Sequence, residues 1–387
     1  MTEPFAFLNP IKINSGLKAL EHLPFELDAM NAGKPLILTD QEGVRAGLDR
    51  TVEKSFGDSG LILGFYGGIP SEPDLALIRD LAALYRERGF DALVAVGSGP
   101  VMNAAKILNI AVSGTPGDLE SFAGVDRIPG RLRPFVAVPR SGGTGYETSR
   151  FAVLGNRMYS SRRLMPDLVV VDPRMLASGN RDSLIAGALT SWAHSVEAYF
   201  TAPENPLVEA YAGGALALLR EALLPGIRGT VDETGRVALS NAAVYAACAF
   251  SNAPLGPAHV LGEAVARVAN ISAGAAMGLL LPSVAARLAG RDGRDVSRLL
   301  LPLAGMDRFA ATAEEERSRV VPALLGRMLA DVLAAAGGHV PLNLKEAGLA
   351  RERIPDLAGN TVSGEKSWTA EDSRAVLEEA WNGKRAA

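Results

Sequence analysis

The first stretch whose residue types could do chemistry is Val94-Ala95-Val96-Gly97-Ser98-Gly99-Pro100, an apolar run that enters two glycines and continues as a helical pattern through Asn103 and Lys106. A strand that ends in small residues and turns into a helix presents bare backbone N–H groups and the positive end of a helix dipole at one spot, which suits a phosphate or pyrophosphate. The same residues also make an ordinary tight turn, and the full G-x-G-x-x-G spelling is absent, so the loop alone leaves both readings open. A single cysteine, Cys248, lies in the apolar run Val244-Tyr245-Ala246-Ala247-Cys248-Ala249-Phe250, a packing position rather than a nucleophile's. It excludes an intramolecular disulfide and any cysteine-rich metal knuckle.

The elements that must position such a loop can be read from periodicity. Residues 35–40 (Pro-Leu-Ile-Leu-Thr-Asp), 91–96, 135–139 and 168–172 are short apolar runs with the character of buried strands, and the last two are stopped by proline. Between the first two, Leu75, Ile78, Leu81, Ala82 and Leu84 recur at helical spacing over residues 74–88. Alternating strands and helices build a parallel sheet, so the N-terminal part is expected to be an α/β domain with a Rossmann-like sheet. From about Ser183 the β-branched clusters thin out and Ala/Leu-rich helical patterns take over, which predicts an all-α C-terminal domain. The change lies near Asp172-Pro173-Arg174, dividing the chain into residues 1–175 and 176–387; at 387 residues two cores are the natural expectation.

Hydrophobic residues make up 48% and charged residues 21%, the balance of a folded globular protein rather than a disordered or fibrous one. A net charge of -4 with no dense Lys/Arg block nominates no nucleic-acid partner. No apolar segment is long enough to span a bilayer, and Met1-Thr2-Glu3-Pro4-Phe5 lacks a signal peptide's basic start, so a cytoplasmic protein acting on small molecules is expected.

Ordered motifs then carry a family resemblance. The segment from Val94 to Lys106 resembles the V-G-G-G-S-x-x-D-x-x-K segment of the iron-dependent (group III) alcohol dehydrogenases, with Asn103 in place of the aspartate. Val138-Pro139-Arg140-Ser141-Gly142-Gly143-Thr144-Gly145-Tyr146-Glu147 resembles that family's nicotinamide-lining P-T-T-x-G-T-G-S-E, with Arg140 and Tyr146 replacing a threonine and a serine. Further matches run through Met165-Pro166-Asp167, His194-Ser195-Val196-Glu197-Ala198-Tyr199 and Asn252-Ala253-Pro254-Leu255-Gly256 to Gly274 and Pro282. The resemblance implies a nicotinamide cofactor contacted by Gly97, Ser98, Gly99, Pro100, Asn103, Lys106, Ser141 and Thr144. Asp40, at the end of a strand, stands where the family sets a carboxylate against the adenosine ribose, favouring NAD over NADP because a carboxylate repels a 2′-phosphate; the open alternative is an aspartate that merely starts a turn. The resemblance also implies a homodimer.

Members of this family hold divalent iron or zinc with one aspartate and three histidines. Aligned on His194, the aspartate position holds Thr190; ungapped through H-x-x-x-H-x9-H-G, the three histidines become His259, Glu263 and Ala273, while a second register, which needs a compensating insertion, sets His259-Val260-Leu261-Gly262 on the middle histidine's H-x-L-G. Two of the four donors, His194 and His259, remain as remnant positions, so no bound metal is expected and iron or zinc is doubtful. Three readings stand open: metal-free hydride chemistry in which His194, His259 or Tyr146 polarises a carbonyl; a two-histidine, one-carboxylate site of His194, His259 and Glu263; or packing histidines in an inactive relative.

Arg140 and Arg267 are cations at positions the family fills with smaller residues, and a guanidinium suits a carboxylate or phosphate. They point to an anionic substrate, as in the related maleylacetate reductases, unless they simply pair with Glu263 or Glu147. The function expected is an NAD-dependent oxidoreductase interconverting an alcohol and a carbonyl compound. The alternatives are a non-redox enzyme using bound NAD internally, as in the related dehydroquinate synthases, and a cofactor-binding pseudoenzyme.

Overall fold

The computed structural model describes residues 4–57, 59–114, 118–140, 143, 145–176, 181–202, 205–289, 291, 296–360, 363–365 and 367–383. Two compact units result: Asn9–Gly179, built on a sheet, and Met1–Leu8 with Asn180–Ala387, built of helices.

The strands of the first unit are β1 (Lys12–Ser15), β2 (Pro35–Asp40), β3 (Gly64–Ile69), β4 (Ala92–Gly97), β5 (Gly124–Val125), β6 (Phe135–Pro139), β7 (Phe151–Leu154), β8 (Arg157–Ser160) and β9 (Leu168–Val171). Six of them form one parallel sheet in the order β1-β9-β6-β4-β2-β3. Strands β4, β6 and β9 are buried at every residue, which is why they read as unbroken apolar runs. One face packs Ile37, Val94, Val96, Val136 and Val170 against a layer that includes Leu20 and Leu48. Two edge strands escape a pattern search: Lys12–Ser15 is too polar, and Gly64–Ile69 too rich in glycine. A small second sheet pairs β5 with β8 and closes the β7–β8 hairpin through Gly155 at φ 59°.

Because β2, β4 and β6 are parallel neighbours, their carboxyl ends lie side by side and set Asp40, Gly97 and the residue after Pro139 along one edge of the sheet. Ligands of open parallel sheets bind outside these ends.

The second unit is helical. Its longer helices include Arg181–Thr201, Pro206–Arg228, Glu233–Ser251, Pro257–Ala266, Ala273–Leu288, Glu314–Ala336 and Ala370–Trp381. Their starts are written locally: Asn205, Asp232, Ser272 and Thr369 each accept the N–H three residues on, and Thr369 completes a capping box with Asp372. Buried Trp192, Leu216, Leu261, Leu280 and Leu325 belong to one continuous core. The leading residues pack with this unit: Phe7 stacks on Tyr211 at 5.3 Å, and Leu8 exchanges two hydrogen bonds with the Asn252 side chain. Among the described residues no helix is long and apolar enough to cross a membrane.

Candidate active site

In the sheet unit, β4 delivers Gly97 and Ser98 to the start of the Gly99–Val112 helix. A Cβ on Gly97 would lie 2.7 Å from the Val101 side chain, so only glycine lets strand and helix approach this closely. Ser98 makes no side-chain capping bond, Pro100 occupies the first turn, and that turn carries no acidic residue. These first-turn N–H groups therefore lack an anionic side chain of their own, which fits the pyrophosphate of a nucleotide.

Asp40 ends β2 and does two things. Its Oδ1 accepts the Gly43 N–H at 2.7 Å and caps the helix Gln41–Arg45, while its Oδ2 accepts Nη2 of Arg140 at 2.9 Å. The same Nη2 donates to Glu42 at 3.0 Å. The Arg140 backbone N–H donates to the Gly97 carbonyl at 3.0 Å, tying the chain after β6 to the end of β4. Arg140, expected as a substrate-anion receptor, has its guanidinium 4% exposed and held through Nη2 by two carboxylates. Among the described residues its Nε and Nη1 are buried with no partner.

Asn103 and Lys106, expected at the cofactor, both make hydrogen bonds within the protein. The Asn103 Oδ1 accepts the Val153 N–H at 3.1 Å; Lys106 Nζ donates to the carbonyls of Ser149 at 2.6 Å and Phe151 at 2.9 Å and lies 3.5 Å from the Ser149 hydroxyl. A buried ammonium needs such acceptors, and here they brace residues 149–153 against the helix. Burial pulls the Lys106 pKa down to about 7, opposed by the charge of Glu147. Tyr146 is half-buried in the same loop, whereas Ser141 and Thr144 lie outside the described residues.

In the helical unit three helices converge on two imidazoles. His194, on Arg181–Thr201, is buried and stacks on Phe250 of Glu233–Ser251 with centroids 3.9 Å apart and planes 6° apart. Its Nε2 lies 3.0 Å from Nδ1 of His259, the third residue of Pro257–Ala266. Burial holds the His194 pKa well below the ordinary range, with a contribution from His259; burial and then the Arg267 charge bring His259 to about 4. Both rings are neutral at pH 7. Arg267 itself is exposed, at the end of the same helix.

The residue that fixes this arrangement was not singled out from sequence. Glu197, nearly one turn beyond His194, is buried and accepts the backbone N–H groups of Ala258 at 2.5 Å and His259 at 2.9 Å. It supplies the cap that Gly256 cannot, and a Cβ on Gly256 would lie 2.3 Å from its carboxyl carbon. Burial pushes Glu197 up to about 8 against the pull of those two N–H bonds. The available signal was a glutamate inside an apolar helix together with a helix start that lacks a capping side chain.

The positions matched to metal ligands do not fit an ion. The Thr190 hydroxyl donates to the Ala186 carbonyl at 2.9 Å. Gly274 packs so tightly there that a Cβ would lie 2.0 Å from that carbonyl oxygen and 2.4 Å from the Thr190 hydroxyl, which brings Ala273-Gly274 beside Thr190 as the ungapped register requires. Alanine offers no donor, and the two histidines bond to each other. Among the described residues no group of three or more His, Cys, Asp or Glu could hold a metal, so His194, His259 and Glu263 do not assemble the alternative three-ligand site.

A parallel sheet with a nucleotide-type loop, joined in one chain to a helical unit carrying a buried polar pair, is the two-part plan of a cofactor-dependent oxidoreductase. The chain belongs to the iron-containing alcohol dehydrogenase family: residues 10–173 match its iron-containing alcohol dehydrogenase domain and residues 184–379 its C-terminal domain. It is similar to the NAD-dependent methanol dehydrogenase of Bacillus methanolicus, 24% identical over 400 residues with 97% of this chain and 99% of that one covered. It is likewise similar to the 1,3-propanediol dehydrogenase of Klebsiella pneumoniae, 25% identical over 367 residues with 90% and 92% covered. A solved 1,3-propanediol oxidoreductase shares the fold at a TM-score of 0.88 and 23% identity, covering 98% of this chain and all of the other.

Proposed function

We propose that this chain interconverts an alcohol and a carbonyl compound with a nicotinamide cofactor, NAD in preference to NADP, and that it does so without a bound metal. The observation that carries this reading is the His194–His259 hydrogen bond at two of the four positions matched to metal ligands, with Thr190 and Ala273 at the others. Similarity to an NAD-dependent relative supports the cofactor. So do Asp40 and Glu42, which outweigh Arg140 by one negative charge and disfavour a 2′-phosphate.

A bound nicotinamide supplies the hydride for carbonyl reduction and accepts it in the reverse direction. The residues of the chain do the rest. The first-turn N–H groups after Gly97 hold the pyrophosphate, and the Asp40 carboxylate meets the ribose. A neutral imidazole N–H of the His194–His259 pair would stabilise the negative charge developing on the substrate oxygen, and water would supply the proton that completes the alcohol.

The test follows absorbance at 340 nm with candidate alcohols and aldehydes, on protein purified without chelators and again after EDTA, with metal content measured by mass spectrometry. Turnover that survives EDTA at substoichiometric metal is expected. Stoichiometric iron or zinc, lost together with activity in His194→Ala, would overturn the metal-free reading.

A further inference from the structure

We propose that His194 is a positioning residue that locks His259 in its Nε2–H tautomer, so that the catalytic hydrogen-bond donor is one defined nitrogen, Nε2 of His259. The inference deepens the function proposed above and rests on its assignment of a histidine donor.

A 3.0 Å contact between two imidazole nitrogens is a hydrogen bond only when one of them carries the proton. Two arrangements satisfy it. In the first, His194 Nε2–H donates to His259 Nδ1, which leaves His194 Nδ1 as a bare lone pair and places the His259 proton on Nε2. In the second, His259 Nδ1–H donates, which leaves His259 Nε2 bare and forces the His194 proton onto Nδ1. The surroundings of His194 Nδ1 decide between them, for this atom is buried and among the described residues has no hydrogen-bond partner. An orphaned buried N–H is the rarer and costlier defect, and an underbonded acceptor is better tolerated. The first arrangement is therefore favoured.

The remaining contacts agree. The Phe250 ring, stacked nearly parallel to His194 with centroids 3.9 Å apart, covers one face of that imidazole and offers no in-plane acceptor for Nδ1. Glu197 accepts the N–H groups of Ala258 and His259 and fixes the backbone at His259, so the ring is held at its Cα by one side chain and at Nδ1 by the other. Both of those side chains come from a single helix, three residues apart. Among the described residues Nε2 of His259 has no protein partner, and the half-buried ring leaves it for a ligand. An oxygen that develops negative charge is the chemical class that such an N–H recognises.

The experiment is long-range 15N–1H correlation NMR at neutral pH on full-length, 15N-histidine-labelled protein. Only four histidines contribute, and His194→Gln and His259→Gln assign the pair by loss of signals. The expected result is a His259 ring protonated at Nε2 and unprotonated at Nδ1. His194→Leu should redistribute the tautomers and lower kcat about 10-fold or more with little change in KM, the scale of a lost general-catalytic group. His194→Gln, whose amide N–H reaches the same acceptor, should restore both the tautomer and most of kcat. A His259 protonated at Nδ1 in the parent protein, or tautomers unchanged in His194→Leu, would overturn the proposal, and the parent spectrum decides even where a variant fails to fold. An Nε2–H spectrum from protein with no turnover on any alcohol or carbonyl would leave the tautomer lock standing and count against the proposed reaction instead.

Discussion

Two buried sites, one in each unit, hold ionisable side chains under different terms. In the sheet unit the Lys106 ammonium meets the carbonyls of Ser149 and Phe151, and Asp172 accepts the Leu20 N–H and the Arg174 guanidinium. In the helical unit His194 is also buried, yet among the described residues one ring nitrogen has no partner and the other meets only a second imidazole. Filled hydrogen-bonding capacity braces a fold, whereas buried capacity left unfilled costs stability and marks a place where a ligand completes the set. Arg140 shares both characters: one nitrogen is pinned by Asp40 and Glu42, and two have no partner among the described residues.

The strongest way to break this contrast is Lys106→Met. If the ammonium is a brace, two buried carbonyls lose their donor and stability falls by about 3 kcal/mol in urea denaturation; a loss below about 0.5 kcal/mol would erase the distinction. The titration sharpens it. With the pKa drawn from 10.5 to about 7, the unfolded chain still holds between those values a proton that the folded chain has released. The burial penalty is thus complete below about pH 7 and relieved as pH climbs toward 10.5, so stability should rise with pH across that window in the parent and lose this component in Lys106→Met.

Glu197→Ala probes the opposite unit. It removes the acceptor of two backbone N–H groups at the start of Pro257–Ala266 and should cost about 2 kcal/mol. Because it also releases His259, kcat should fall by more than that stability loss explains; full activity in the folded variant would show that the arrangement is packing alone. Asp40→Ala is the mildest. Loss of the cap should cost about 1 kcal/mol, and titration with both cofactors should show NADP(H) gaining on NAD(H). An unchanged ratio would assign Asp40 to capping and to Arg140 only.

Much of the framework could be read without coordinates. Strands covered on both faces announce themselves as apolar runs, and so residues 35–40 and 135–139 were bounded as they occur in β2 and β6. Edge strands β1 and β3 carry no such signature because half their environment is solvent or glycine. The motifs from Val94 to Pro282 sufficed for the family, since they record spacing along the chain.

What each side chain touches was decided elsewhere. Lys106 sits in a family-like segment, but the direction of its ammonium depends on residues 43 and 45 positions later. Arg140 and Asp40 are 100 residues apart, and His194 and His259 are 65 apart. Local sequence fixes periodicity, caps and turns because their interactions span three or four residues. A buried polar atom instead takes whichever acceptor the packing of distant helices and strands brings within 3 Å, and that choice exists only once the chain has folded.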